Sequence, residues 1–265
     1  MKVFISADIE GVTTTTTFND CITSSAKYEY HCEQMTSEVI AACEGAIEAG
    51  ATEIVVRDAH DNATNIDIKR LPKCVKLIRQ WSGHPYSMVE GIDNTFDACM
   101  FVGYHSAASC SGNPLSHTID SNPFWIKIND CIASEFMIFS FVAAYEGVPT
   151  VFLSGDMQLC DDSATLHPKL VTVSVKKGVG ASTASINPIL ACDLIRERTE
   201  KALKQDLKKA LISLPQNFNA EICYKSHIDA DKFSYFPGVQ KISDTNITFS
   251  SSDYFEIVRF LKFCI

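Results

Sequence analysis

The sequence predicts an α/β fold: a largely parallel sheet flanked by helices, with a smaller C-terminal α+β lobe. Three observations carry this expectation. Short apolar, β-branched runs alternate with helix-length segments through the first part of the chain. Polar residues collect where those runs stop. Beyond residue 190 the alternation gives way to a charged helix, two strands and a final helix, so the chain divides into an α/β domain (1–190), which holds those polar strand ends, and a lobe packed on it (191–265).

Lys2 to Ala7 reads as the first strand, and Thr13 to Thr17 after it as a short polar loop with no assigned task. Lys27 to Ala49 reads as a helix, because Met35, Val39, Cys43, Ala46 and Ile47 recur three and four apart and Gly50 follows as a stop. Glu53 to Arg57 and Val75 to Ile78 are short strands, and Ala98 to Val102 is an apolar strand closed by Gly103. Trp125 to Ile128 is a strand before a turn at Asn129-Asp130, and Glu135 to Tyr145 a buried helix stopped by Gly147, with Phe136, Phe139 and Phe141 as core. Thr150 to Leu153 and Val171 to Val175 follow as strands. Gly178-Val179-Gly180 reads as a pocket loop rather than a phosphate nest, since neither glycine-rich fingerprint is complete. Arg196 to Leu211 is an amphipathic helix. Ala220 to Tyr224 and Ile247 to Ser250 are strands, and Tyr254 to Phe263 is the last helix.

Composition excludes more than it identifies. The chain of 265 residues is 46% apolar and 21% charged, and its formal charge of -9 argues against a nucleic-acid or anionic-membrane partner. No run of about 18 apolar residues predicts a membrane span, and the N-terminus lacks a signal-peptide pattern. Eleven cysteines is an odd number, and no C-x-x-C pair occurs. They read as small buried hydrophobes of a reducing cytoplasm. Cys110 as a thiol nucleophile is a weaker reading, because the neighbouring histidines have better-supported tasks.

The chemistry-bearing residues follow the strands. Asp8 and Glu10 come after the first, Asp58, His60 and Asp61 after the second, His105 after the third apolar run, and Asp156 after Leu153. Open parallel sheets place their ligands beyond the carboxyl ends of the strands. Asp8 and Glu10, at i and i+2, share one side of an extended chain, and two close carboxylates repel unless a cation lies between them. With His60, His105 and Glu135 they make a mixed imidazole–carboxylate set that suits zinc ahead of manganese or iron. Five ligands exceed one tetrahedral site. Two metals about 3.5–4 Å apart with a bridging carboxylate would use them all, and Asp8 lies deepest.

Several segments resemble the zinc-dependent D-aminopeptidases of the dipeptide-operon type. Asp8-Ile9-Glu10-Gly11 is similar to the family's Asp-x-Glu-Gly opening, Asp58-Ala59-His60 to its Asp-Ser-His, and Ser87-Met88-Val89-Glu90-Gly91 to its Ser-Met-Val-Glu-Gly. Gly103-Tyr104-His105, Ser116-His117, Asn129-Asp130, Ser134-Glu135, Ser154-Gly155-Asp156 and Val175-Lys176 follow in order. The resemblance implies an aminopeptidase that hydrolyses short peptides with an N-terminal D-residue through a water activated by two zinc ions, and a ring-shaped homo-oligomer. It implies Asp8 as the bridge, Glu10 and His105 on one zinc, His60 and Glu135 on the other, and His117 as a catalytic non-ligand, either proton carrier or oxyanion donor. Asp58 and Asp156 are candidates to hold the substrate ammonium, and Asp58 alternatively to orient His60. Two features depart from the family pattern: the Thr13 to Thr17 loop, and a longer His105 to His117 segment. A hydrolase of another small amide or ester, or a non-catalytic peptide-binding protein, stands as the alternative.

Overall fold

A computed structural model describes residues 1–265. The larger sheet is built from β1 (Lys2–Ala7), β2 (Glu53–Asp58), β3 (Val75–Ile78), β4 (Ala98–Tyr104), β7 (Thr150–Asp156), β8 (Val171–Val179) and β9 (Ser182–Ser185). The smaller comprises β5 (Pro123–Ile128), β6 (Cys131–Ile132), β10 (Phe218–Tyr224), β11 (Gln240–Lys241) and β12 (Asn246–Ser251). The helices are α1 (Tyr28–Glu48), α2 (Glu135–Tyr145), α3 (Met157–Leu166), α4 (Pro188–Leu203), α5 (His227–Phe233) and α6 (Tyr254–Cys264).

The larger sheet runs β3-β2-β1-β4-β7-β8-β9. All its pairings are parallel except β8 with β9. From β1 the chain builds outward to β2 and β3, then returns across β1 to add β4, β7 and β8. The order therefore reverses between β1 and β4, the place where open α/β sheets bind ligands.

Period-two alternation puts the two faces of this sheet in different cores. Val3, Ile5, Ile54, Val56, Met100 and Val102 pack under α1 and α4. Phe4, Val55 and Phe101 face α2, the smaller sheet and α6. Helix α2 is buried from Glu135 to Ala143, including Phe136, Phe139 and Phe141. This burial on all sides is why its sequence carries no amphipathic period.

The smaller sheet runs β11-β12-β10-β5-β6, entirely antiparallel. Strand β5 thus leaves the first part of the chain to pair with β10. A division at residue 190 falls within α4, which packs against α1 and β8. The helix expected from Arg196 to Leu211 starts earlier and stops sooner. Asn187 accepts from Ile189 N at 2.8 Å and Pro188 opens the first turn, while Leu207 to Ala210 forms a separate 3-10 turn. Ile189 and Leu190 are exposed, so the apolar period fades where the cap begins. Helix α3, strand β9 and helix α5 were not expected. The Gly178 to Gly180 stretch is part of the β8–β9 hairpin, with Gly178 N donating to Gly112 O at 2.9 Å. No helix is long and apolar enough to cross a membrane.

Candidate metal centre

The exits of β1, β2 and β4 bring five side chains together. Asp8 leaves β1, the central strand of the three, and its N–H still donates to Val102 O at 2.9 Å. The chain then turns against β4. Gly11 N donates to Gly103 O at 2.7 Å, and a Cβ on Gly11 would stand 1.8 Å from Tyr104 O. Gly103 has φ +74°, and a Cβ there would meet Asp8 O at 2.3 Å. Only glycine permits this close crossing, and the crossing aims Asp8 and Glu10 into one space.

Asp8, Glu10, His105 and Glu135 are almost completely buried, at 1–2% exposure, with His60 at 9%. His60 Nδ1 lies 3.0 Å from Glu10 Oε2 and 3.4 Å from Asp8 Oδ1. His105 Nε2 lies 3.4 Å from Asp8 Oδ2 and 3.3 Å from Glu135 Oε2. The two oxygens of Asp8 therefore face different histidines. The ligand atoms form the groups Asp8–Glu10–His60 and Asp8–His105–Glu135, and a third, Glu10–His105–His117. In the first two Glu10 stands with His60 and Glu135 with His105, whereas the third keeps Glu10 beside His105, the pairing expected above. The sheet order separates the first two, since β2 and β4 flank β1 on opposite sides.

The remaining ring nitrogens fix the tautomers. His60 Nε2 lies 2.8 Å from Cys21 O, and His105 Nδ1 lies 3.0 Å from Ser106 O. A carbonyl only accepts, so each of these nitrogens carries a proton, and the other is the one that would offer its lone pair to a metal once the ring is neutral. Glu135 sits in the first turn of α2, where Ser134 caps the helix, and its Oε1 accepts from Ile119 N at 2.6 Å. Ile119 holds φ +66°, a strained value for a β-branched residue.

Asp8 Oδ2, Glu10 Oε2, His105 Nε2 and Glu135 Oε2 are buried without a hydrogen-bond partner. Orphaned polar atoms are costly, and four facing one another need a cation. The charges show the same need. Burial, then the Glu10 and Glu135 carboxylates, push Asp8 well above the usual range. Burial also pushes Glu10 upward, but His60, His105 and His117 outweigh it and hold Glu10 well below its ordinary value. Burial would lower both histidines, yet Glu10 and Asp8 raise His60, and Glu135, Glu10 and Asp8 raise His105 to about 10. Protons on the imidazoles do what divalent cations would do. The donor set, hard carboxylates with neutral imidazoles, fits zinc.

His117 stands at the rim, its side chain 18% exposed. Its ring stacks on His105 with centroids 4.4 Å apart. Nδ1 lies 2.8 Å from Leu115 O, which leaves Nε2 free, 3.7 Å from Glu135 Oε1. Asp58 and Asp156 do not line the cleft. Asp58 accepts from Asn65 N and Nδ2 at 2.6 Å and from Ile66 N at 2.9 Å, and Asn65 Nδ2 also donates to His60 O. Asp156 caps α3 and accepts from Ser106 N at 2.7 Å and Ser106 Oγ at 2.6 Å. Each braces the loop that carries a histidine, and neither is open to a substrate ammonium. Cys110 lies off the cleft, in a separate pocket with Cys131.

The threonine loop also has a task that its composition concealed. Buried Lys176 reaches into it, donating to Glu10 O, Val12 O (3.0 Å), Thr15 O (2.7 Å) and Thr15 Oγ1 (2.8 Å). Thr13 binds Glu38 through both N–H and hydroxyl, and the Thr16 and Thr17 N–H groups bind Asp20 Oδ2 at 2.9 Å. Lys176, Glu38 and Asn65 escaped sequence reasoning as site residues. The one available signal was the Val175-Lys176 segment, which the family resemblance matched without giving the lysine a task.

The cluster opens into a cleft of about 550 Å³, walled by Phe18, Trp81, Met88, Ile119 and Lys262 among others. The D-aminopeptidase family matches residues 1–263. A D-aminopeptidase of Bacillus subtilis (strain 168) is 30% identical over 262 residues, covering 97% of this chain and 93% of its own. A solved structure described as the Zn-dependent D-aminopeptidase DppA from Bacillus subtilis, a self-compartmentalizing protease, superposes with a TM-score of 0.94 at 27% identity. That match covers 100% of this chain and 96% of the other. The burial, the paired ligand groups and these likenesses converge, and the chain belongs to the D-aminopeptidase family of peptidases.

Proposed function

We propose that this peptidase is a metal-dependent aminopeptidase that hydrolyses short peptides with an N-terminal D-residue, using two zinc ions. One observation carries the reading: three buried, partnerless atoms of Glu10, His105 and Glu135 gather around Asp8, whose own Oδ2 is partnerless and whose two oxygens face different histidines. Asp8 would bridge, with Glu10 and His60 on one ion and His105 and Glu135 on the other. When bound, the ions would lower the pKa of a water and polarise the scissile carbonyl.

The chain's own residues do the rest. The Cys21 and Ser106 carbonyls keep His60 and His105 in the ligating tautomer. Ile119 N–H fixes one oxygen of Glu135 and leaves the other to the cluster. His117 offers Nε2 at the cleft edge, where it can carry a proton to the departing amine. Stacking on His105 holds its ring in place. The description of the Bacillus structure as self-compartmentalizing supports a homo-oligomeric assembly here as well, and we place the enzyme in the cytoplasm.

The test is chelation and readdition. Exhaustive chelation abolishes hydrolysis of D-Ala dipeptides, zinc restores it, and elemental analysis finds two zinc atoms per chain. His117→Ala keeps the zinc and loses turnover by about 100-fold or more. Undiminished turnover by the stripped protein would overturn the proposal, as would equal rates on the L-Ala counterparts for its stereochemical part.

A further inference from the structure

The cleft is charged unevenly. Outside the ligand cluster and His117, its charged wall residues are Asp61, Asp120 and Lys262. Asp61 follows His60, at one end of the cluster. Lys262, in the last turn of α6, lies beyond Ile119 at the Glu135 end. It is the only lysine or arginine in the wall. One turn earlier Arg259 is paired with Glu256, whereas the Lys262 ammonium has neither hydrogen bond nor ion pair.

At this same end a second cavity of about 110 Å³ adjoins the cleft. The two share Ser87, Ile119, Asp120 and Lys262 as walls. Ile138 and Phe139 of α2 and Val258 and Leu261 of α6 make the remainder predominantly apolar. An apolar cavity of about 150 Å³ accommodates benzene, so this recess takes an aliphatic side chain. Two of the shared walls are strained: Ile119 at φ +66° and Ser87 at φ +41°. Strain of this kind persists where the surrounding structure enforces it, and it gathers at ligand clamps.

We infer that this end of the cleft is the subsite for the residue following the scissile bond. Lys262 receives its free α-carboxylate, and the recess receives its aliphatic side chain. The substrate class is then a zwitterionic dipeptide with an apolar second residue. Its ammonium lies toward Asp61 and its carboxylate toward Lys262. An ammonium–carboxylate contact is charge-assisted and fails when the carboxylate is amidated. The direction of the peptide rests on the aminopeptidase reading above; the chemistry of the subsite does not.

The experiment compares D-Ala-L-Leu, its C-terminal amide and D-Ala-Gly on the zinc-loaded enzyme and on Lys262→Met. Lys262 is exposed, so the substitution leaves the core intact. The wild type is expected to favour the free acid over the amide in kcat/KM by about tenfold or more. In Lys262→Met that ratio falls to near one, while the preference for Leu over Gly persists. Calorimetric titration of zinc-loaded His117→Ala, with and without Lys262→Met, reads the same discrimination as binding. Hydrolysis without acid-over-amide preference, or an equal loss on both substrates in Lys262→Met, overturns the subsite and spares the aminopeptidase reading. Absence of hydrolysis with Lys262-dependent discrimination in binding does the reverse.

Discussion

Lys176→Met removes one ammonium and keeps its stem. The Lys176 side chain is buried, and its ammonium serves the Glu10, Val12 and Thr15 carbonyls at once. Hydrogen bonds to a charged donor contribute about 1.5–3 kcal/mol each, so losing three costs roughly 5–9 kcal/mol. Removing a buried charge gives some of this back. Burial pushes the Lys176 pKa down to about 8 from 10.5, which corresponds to roughly 3 kcal/mol. The net expectation is a destabilisation of about 2–6 kcal/mol, read from urea unfolding of the metal-free protein. The Glu10 carbonyl loses its charged donor and keeps only Asn113 Nδ2 (3.0 Å) and Thr15 Oγ1 (3.1 Å), so zinc affinity should fall by about 10–100-fold. Competition against a chromophoric chelator measures that fall. An unchanged unfolding midpoint together with unchanged zinc affinity would refute the idea that Lys176 pins the ligand loop.

Two further outcomes follow from the electrostatics. In the metal-free protein His60 and His105 are raised above 6.5, His105 to about 10, so both carry protons at pH 7. Zinc must displace them: calorimetry in buffers of different ionisation enthalpy should count about two protons released per chain, and affinity should climb with pH. No release would contradict the protonated cluster. The same raised values stabilise the metal-free fold below pH 6.5, and that contribution disappears as the pH rises toward 10. Burial holds His167 down at about 4, beside Ser140 Oγ at 3.1 Å. A depressed histidine is neutral in the fold, so stability should drop as pH falls from 6.5 toward 4, by at most about 3 kcal/mol. His167→Asn should flatten that acid limb in unfolding measured by circular dichroism; an unaltered limb would assign it to other groups.

The strand exits were legible because each apolar run ends in a polar residue at a definite point, and Asp8, His60 and His105 follow directly. Glu135 was legible as the acid opening a buried helix. What remained hidden depends on neighbours distant in sequence. Which histidine joins which acid is set by β1 lying between β2 and β4, a matter of sheet order that no local pattern encodes. Strand β5 reads like any other strand, yet its partner is β10. Asp156 reads as a site acid because it ends an apolar strand; its carboxylate is consumed by capping α3 and holding Ser106. The five threonines carry no period. Their meaning comes from Lys176, Glu38 and Asp20, and no sequence signal marks Ile119 for a left-handed backbone.

The pairing of β5 with β10 has a consequence for biosynthesis. Glu135 and the His117 turn flank a hairpin that stays an unsatisfied sheet edge until residues 218–224 have emerged from the ribosome. Asp8, Glu10, His60 and His105 are all translated long before that. The nascent polypeptide therefore holds only part of its reaction centre through most of its synthesis, and hydrolytic competence arrives late, as a property of the nearly finished molecule.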